Sequence, residues 1–414
     1  MADPRNIIVI GAGICGVSAA IWLGRAGCNV TLLDKDHPGA GASFGNAGLL
    51  AQWGIVPTNT PGVGRSAAKY LLNPRGPLFM QWEHFPRLLP WLMKFLANAN
   101  DATVRRTSAA LASMLGDSIE QHIALTRGTS AQKWIATSAF SYVYPDRAAY
   151  EADSYGWDLK REHGHVPELI EGRAVQDFEP MLGDSTQCLA VLQGSGHILN
   201  PAAYLADLAQ VFIEEGGTYR QAMVQDITLT EGRISAVHTD QGNFPCDHAV
   251  LAAGIWSKPL MRKLGLSVPL EVERGHHIQF LDPSQMPRTP MMITAGKFAV
   301  TPMHMGLRCA GTVELGGITK GASRGPLNLI RRQTARTFPK LTYREAEEWV
   351  GFRPSTPDSL PLIGEIGATG VHAAFGHQHI GLTGGPKTGR WVADLITGRR
   401  PNTDMAPFDA NRFT

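Results

Sequence analysis

The run Asn6-Ile-Ile-Val-Ile-Gly-Ala-Gly-Ile-Cys-Gly16, closed by Asp34, limits the fold more than any other feature of the chain. Ile7 to Ile10 reads as a buried strand that leads straight into Gly11-x-Gly13-x-x-Gly16. An apolar, alanine-rich helix is predicted over Val17 to Arg25, ended by Gly27. A second strand, Asn29 to Leu33, then delivers Asp34. A βαβ unit with this glycine spacing accepts a dinucleotide for physical reasons. Gly11 permits the tight turn, Gly13 lets the backbone approach a pyrophosphate, and Gly16 lets the helix pack closely on the sheet. The helix start offers free N–H groups and a positive dipole end to the phosphates. Asp34 sits where a carboxylate takes the hydroxyls of an adenosine ribose. Ile14 and Cys15 inside the turn, and Lys35 beside the acid, belong to the same cradle. The run alone does not choose between NAD and FAD.

The 414 residues suffice for two domains, or for one with large insertions. With 43% hydrophobic and 18% charged residues the chain is globular, and a net charge of +2 gives no reason to expect a nucleic-acid partner. The cysteines, Cys15, Cys28, Cys188, Cys246 and Cys309, form no CxxC. That argues against a disulfide framework or structural zinc and fits a reducing, cytoplasmic compartment. His163-x-His165 and His377-x-His379 have no acidic or cysteine partner at ligand spacing, so no metal is expected. The early apolar stretch lacks the basic region and clean apolar core of a secretory signal. No run reaches the ~18 apolar residues of a spanning helix.

Gly39 to Gly48 is a second small-residue loop, of the kind that lets backbone touch a ligand. Pro77 to Ala97 is rich in aromatics and leucines, with Arg75, Arg87 and Lys94 interleaved. Two short helices broken at Pro86 and Pro90, packed on their own domain, are expected there; peripheral membrane contact is the alternative. A long amphipathic helix carries Leu111, Leu115, Ile119 and Ile123 on one face. Asn200 or its neighbour caps a helix over Ala202 to Glu215, with Pro201 in its first turn. Strands follow at Ala222–Leu229, Arg233–Thr239 and Phe244–Leu251. The last runs into a turn with Ala253, Gly254 and Trp256, where a doubly wound sheet has its ligand crevice. Glu271–Leu281, Ala299–Met303 and Leu307–Leu315 alternate like an antiparallel sheet. Arg336 to Trp349 is predicted helical, Val371–Phe375 a strand, and Pro386 to Thr397 a last helix. Gly384-Gly-Pro-Lys-Thr388 is not a P-loop, because Pro386 precedes the lysine.

Four segments together resemble the D-amino acid oxidase/dehydrogenase superfamily of flavoproteins, and within it the bacterial D-amino acid dehydrogenases. They are the opening fingerprint, GASFGNAG (41–48), GFRPSTPDSLPLIG (351–364) and GHQHIGLTGGPKTGRWVADLITG (376–398). The resemblance implies an α/β fold with an α+β second domain: a Rossmann-type FAD-binding domain joined to a discontinuous, mainly antiparallel-sheet substrate domain. The boundaries expected are 1–75, 165–255 and 350–414 for the first and 76–164 and 256–349 for the second. It implies FAD rather than NAD. Ala42, Ser43, Asn46, Ala47, Gly48 and Leu49 match flavin-contacting positions, and Val224 the strand residue that meets the adenine. Gly376, His377, Gly381, Leu382 and Thr383 match the stretch near the pyrimidine edge of the ring, where a helix start favours the negative charge of reduced flavin.

In the same resemblance Arg353 is the arginine that holds the substrate carboxylate, a task suited to a planar guanidinium. Asp358, in Thr-Pro-Asp, reads as a turn residue. Arg308, His277 and His304 are weaker candidates. His276 stands where relatives often carry a tyrosine after glycine. The activity implied is hydride transfer from Cα of a D-amino acid to flavin N5, giving an imine that water hydrolyses to a 2-oxo acid and ammonia. The cofactor does that chemistry, so no side-chain base is obligatory. Electrons would pass to a quinone, another carrier or oxygen. A secondary amine such as sarcosine, proline or 4-hydroxy-D-proline is an alternative substrate. A non-catalytic dinucleotide-binding redox sensor or complex subunit is the alternative of another class. Oligomeric state is not legible.

Overall fold

Two large sheets organise the protein, in a computed structural model that describes residues 5–71, 76–321 and 323–413. Arg75 and the expected domain edge beside it lie outside the described residues. The first sheet has six strands in the order Leu362–Glu365, Val371–Phe375, His248–Leu251, Asn6–Ile10, Asn29–Asp34, Thr218–Gln221. Every pair is parallel except the first, which is antiparallel. Alternate residues of the central strand feed two cores. Ile7 and Val9 pack with the helices Ile14–Arg25, Pro201–Glu214 and Gly381–Ile396, while Ile8 and Ile10 pack toward a three-stranded antiparallel meander, Val224–Thr230, Arg233–Thr239 and Gly242–Pro245, on the other side. Parallel strands buried on both faces read as apolar runs, which is why this part was visible in the sequence.

The second sheet has ten strands. Its main path is Glu345–Ser355, Glu271–Leu281, Gly306–Leu315, Phe298–Met303, Met291–Ile293, Ile135–Tyr144, Cys188–Ile198, Leu49–Leu50. The mixed α/β architecture expected from the sequence is therefore present. Several parts of the expected division meet a different pairing: Leu49–Leu50, Glu168–Glu171, Cys188–Ile198 and residues 350–355, expected with the cofactor domain, pair in the ten-stranded sheet.

Local differences have local causes. Residues 345–349, expected as helix, extend as a strand hydrogen-bonded along Glu271–Leu281; the helix before them is Arg324–Thr337 and stops short of Pro339. The Glu-Ala-Glu-Glu stretch has helical propensity, and tertiary pairing overrides it. Pro90 does not break its helix, which runs Phe85–Ala97 with Pro86 in the first turn. Pro90 is exposed, so water can satisfy the carbonyl freed by its missing N–H. The long amphipathic helix divides at Gly116-Asp117 into Asp101–Leu115 and Ser118–Thr126. The expected strand 244–251 divides between the two smaller sheets at Pro245, which cannot continue a ladder. The last helix begins at Gly381, so its first turn is made of the glycines expected to form a loop. Asn200 caps its helix as expected, accepting from Ala203 N at 3.1 Å.

Candidate active site

One continuous cavity of about 950 Å³ lies between the carboxyl ends of the parallel strands and one face of the large sheet. Asp34, Lys35 and Ala222 to Gln225 line one end. Gly11 to Cys15 and Ala42, Ser43, Asn46, Ala47 and Leu49 line the middle, and Gly376 to Thr383 face them. Ala253, Gly254 and Trp256 line it at the crevice, with Trp256 still 48% exposed. The loops are tied together by named bonds. The Ser43 hydroxyl accepts from Ile14 N at 3.2 Å, at the start of the first helix. Asp34 accepts from Ala12 N at 2.6 Å and from Asp36 N at 3.0 Å. The Thr383 hydroxyl donates to Leu49 O at 3.1 Å and accepts from Ala51 N at 3.3 Å.

Gly16 and Gly48 do not line the cavity; each holds a close approach. A Cβ at Gly16 would overlap the Gly11 carbonyl, and one at Gly48 would lie 2.8 Å from Ile198 O, at a φ of +77°. Cys15 and His377 form a buried chain: the thiol lies 3.6 Å from His377 Nδ1, and Nε2 donates to Thr388 Oγ1 at 2.9 Å. Burial pushes the thiol up to about 12 and the imidazole down to about 3, so both stay neutral.

On the sheet face, Arg353 lies flat over Gly275 of the neighbouring strand, where any Cβ would collide with its guanidinium. Among the described residues its one hydrogen bond is a long contact to Thr312 O at 3.4 Å, and it lines the cavity. Burial pulls its pKa below the usual arginine range, and the Glu273 charge opposes that. Trp349 forms a wall beside it. Its indole lies where Cβ atoms on Gly45 and Gly351 would be, and it stacks on His277 at 5.0 Å and 19°.

The weaker candidates stand elsewhere. Arg308 is buried and does not line the cavity; it donates to Phe44 O and Asn46 O at 3.0 Å each and to Gln279 Oε1 at 3.0 Å. It fastens the 44–46 loop to the sheet. His277 does the same by donating to Gly45 O at 3.1 Å, and burial holds it neutral at about 3. His304 is exposed in the turn between two strands, edge-on to Trp134. His276 points to the opposite face, 3.5 Å from Glu314, so the residue after Gly275 carries no information about the cavity. Asp358 is a turn residue, paired with Arg412 at 2.7 Å.

The sequence reading missed Glu273, Gly275, Trp349, Lys160 and His379, all of which line the cavity. Strand alternation at 271–281 could have put Glu273 and Gly275 on one face. The partner strand that supplies Trp349 was assigned to a helix. Lys160 is 8% exposed, with its ammonium over the rings of Tyr142 at 4.7 Å and Trp157 at 4.4 Å, and burial lowers its pKa to about 8.

A crevice at the carboxyl ends of a parallel sheet, floored by a mainly antiparallel one, is where α/β proteins of this kind bind a dinucleotide. The chain matches the family described as FAD dependent oxidoreductase over residues 6–395, and it belongs to that family. It is 35% identical to a D-amino-acid oxidase of Bradyrhizobium diazoefficiens, covering 100% of each chain. It is 31% identical to a D-amino acid dehydrogenase of Methylobacterium nodulans, covering 99% of each. Among solved structures, glycine oxidase from Geobacillus kaustophilus superposes with a TM-score of 0.75 at 21% identity, over 99% of this chain and 100% of that one. The protein is thus an FAD-dependent enzyme of the amine-oxidising kind. FAD fits the cavity by its lining: the glycine turn at the start of the helix Ile14–Arg25 offers backbone N–H groups to a pyrophosphate, and the Asp34 carboxylate lies beside that turn. Among the described residues no helix is long and apolar enough to cross a membrane.

Proposed function

We propose that the chain oxidises the Cα–N bond of a D-amino acid to an imine, which water hydrolyses to a 2-oxo acid and ammonia. The observation that carries this reading is Arg353: a cation on the cavity floor, laid over Gly275, with most of its five N–H donors unused among the described residues. A guanidinium so placed takes a carboxylate in a two-point grip and fixes the direction of the Cα–H bond. Asp34 would hold the adenosine ribose, Gly11 to Cys15 the pyrophosphate, Ser43 to Ala47 the ribityl and ring, and Gly381 to Thr383 the pyrimidine edge. FAD, when bound there, supplies the two-electron acceptor. The protein's part is to bind, orient and exclude water. Val224, on the strand beside Asp34, would meet the adenine.

An anaerobic bleaching screen tests the reading. The flavin is expected to bleach with a D-amino acid and not with its L-enantiomer. Bleaching only by sarcosine, proline or hydroxyproline would move the substrate to the secondary amines, and a yellow protein that no amine bleaches would sink the enzyme reading. Electrons then pass to a quinone or another acceptor, separated from oxygen by repeating the turnover with each. An apolar face on the helix Phe85–Ala97 supports a membrane-surface location for that exchange. Leu88 and Trp91 are buried, but Trp82, Leu89, Met93 and Leu96 are exposed, up to 65% at Met93, with Arg87 and Lys94 alongside. An amphipathic face of this kind seats in an anionic lipid interface. Flotation with anionic vesicles, lost in a Leu89→Glu/Met93→Glu variant of unchanged activity, is the expected result; failure of the parent protein to float would end that proposal.

A further inference from the structure

Glu273 is a second charge on the same floor. It is 5% exposed, lines the cavity and stands directly across from Arg353 in the strand register. It is two residues from Gly275, over which the guanidinium lies. Alternation puts Glu273 and Gly275 on the cavity face and Arg274 and His276 on the other. There Arg274 is paired with Glu314 at 2.8 Å and cannot serve Glu273. Glu273 and Arg353 feel each other's charge, yet no ion pair within 4.0 Å joins them. Burial pushes the Glu273 carboxyl up, and the Arg353 charge and a hydrogen bond with the Ser355 side chain pull it back. The other titratable group on this part of the wall is His379, which burial and Arg353 hold neutral at about 4. A buried carboxylate with no close cation is costly, and a protein keeps one where a ligand supplies the missing charge.

The spacing suits one kind of ligand. An α-amino acid carries a carboxylate and an ammonium on one carbon. The floor offers a cation and an anion whose anchor points are about 5 Å apart across the strands, or about 7 Å along one. We propose that Glu273 is the amino-group subsite: Arg353 takes the α-carboxylate, Glu273 takes the α-ammonium and receives one of its protons as the free amine forms, and the pair reads the zwitterion. This rests on the amino acid reading above. It gives the enzyme a means of refusing carboxylates that lack an ammonium. The 2-oxo acid product is such a carboxylate, so the same charge favours its release.

The test compares two ligands in Glu273→Gln, Glu273→Asp and Arg353→Ala, all flavin-loaded. One is the best D-amino acid from the bleaching screen. The other is propionate, read by perturbation of the flavin spectrum. In Glu273→Gln the KM for the amino acid is expected to rise by roughly tenfold or more, while the Kd for propionate falls by several-fold, because an anion has left its neighbourhood. Glu273→Asp should keep the preference for the amino acid. Arg353→Ala should weaken both ligands. A merely structural glutamate would weaken both together in Glu273→Gln, and that result overturns the proposal. If Glu273→Gln fails to hold flavin, the parent protein decides. Its propionate affinity should then tighten as pH falls through the range where Glu273 gains its proton and propionate stays ionised; a flat profile overturns the subsite. If no amine bleaches the parent flavin, the substrate reading fails, and propionate still reports on the charge pair because it needs no turnover.

Discussion

The two ends of the cavity are built from different materials. The end near Asp34 is built mainly from backbone: Gly11 to Cys15, one stretch of chain, offers N–H groups, a helix start and small residues, with the Asp34 carboxylate beside it. The floor at the other end is side chains, Glu273, Trp349 and Arg353, drawn from two strands whose numbers differ by some eighty residues and placed by a register no local rule fixes. A backbone site tolerates no added atoms and little else can change it. A side-chain site can be retuned one residue at a time, which suits the end where relatives differ in what they accept. Substitutions at the two ends should therefore fail in different ways.

The largest effect is expected at the backbone end. Gly16→Val drives a branched side chain into the Gly11 carbonyl, which the helix approaches without room for a Cβ. The strand–helix contact and the pyrophosphate turn go together, with a loss of stability above about 4 kcal/mol, among the most damaging single changes. The purified protein should be colourless and melt early. A yellow Gly16→Val protein would show that close packing at this turn is not what holds the cofactor.

The floor should lose catalysis and keep colour. Arg353→Ala is expected to raise KM by roughly 100-fold or more, the scale of a lost bidentate charge-assisted contact, with full flavin content. Gly275→Ala reaches the same residue indirectly. Its new Cβ pushes the guanidinium off its seat, so KM should rise by about tenfold, less than for removal of the charge. Steady-state kinetics beside the flavin absorbance separate the two ends. If Arg353→Ala also loses flavin, the contrast between them breaks.

These cases show what was legible. Strand, glycine turn, helix and acid are consecutive, so apolar runs and glycine spacing exposed the first sheet and the cradle. Arg353 was singled out only because its neighbours Gly351, Phe352 and Pro354 form a motif. Glu273 and Trp349 were not, because the facts that matter are cross-strand: Glu273 opposite Arg353, and Trp349 opposite His277. The Arg336–Trp349 error had the same source, since Glu345 to Glu348 are helix formers held straight by a partner strand far away in sequence. Arg308 and His277 read as substrate ligands because charge and type were visible, whereas the carbonyls of residues 44 to 46 that use them were not.

Trp349 sits on the seam and should show a mixed failure. It spans Gly45 of the cofactor loop and Gly351 of the floor and stacks on His277. Trp349→Ala removes a half-buried indole, at a cost of about 2 kcal/mol, below that of a fully buried tryptophan. Both flavin affinity and KM should worsen, each by less than at the dedicated residues. A change in only one of them would assign Trp349 wholly to that end.

The smallest effect has the opposite sign. Burial raises the Glu273 pKa in the folded protein, so the folded state holds this proton more tightly than the unfolded chain does. Such a group contributes stability that is present below the unfolded carboxyl value of about 4.3 and is lost as pH rises through the higher folded value. Above that folded value the parent protein carries a buried charge that Arg353 and Ser355 offset only in part, and Glu273→Gln does not. The flavin-loaded variant should melt about 1–3 °C higher than the parent near pH 7. That advantage should shrink as pH falls toward 4, where the parent carboxyl is itself neutral. Thermal melts across this range check the sign. A residue that costs stability and is kept is explained by what it does for a ligand. If Glu273→Gln instead melts lower at neutral pH, the carboxylate is stabilising the sheet, and the floor would then resemble the backbone end, where structure and site are the same thing.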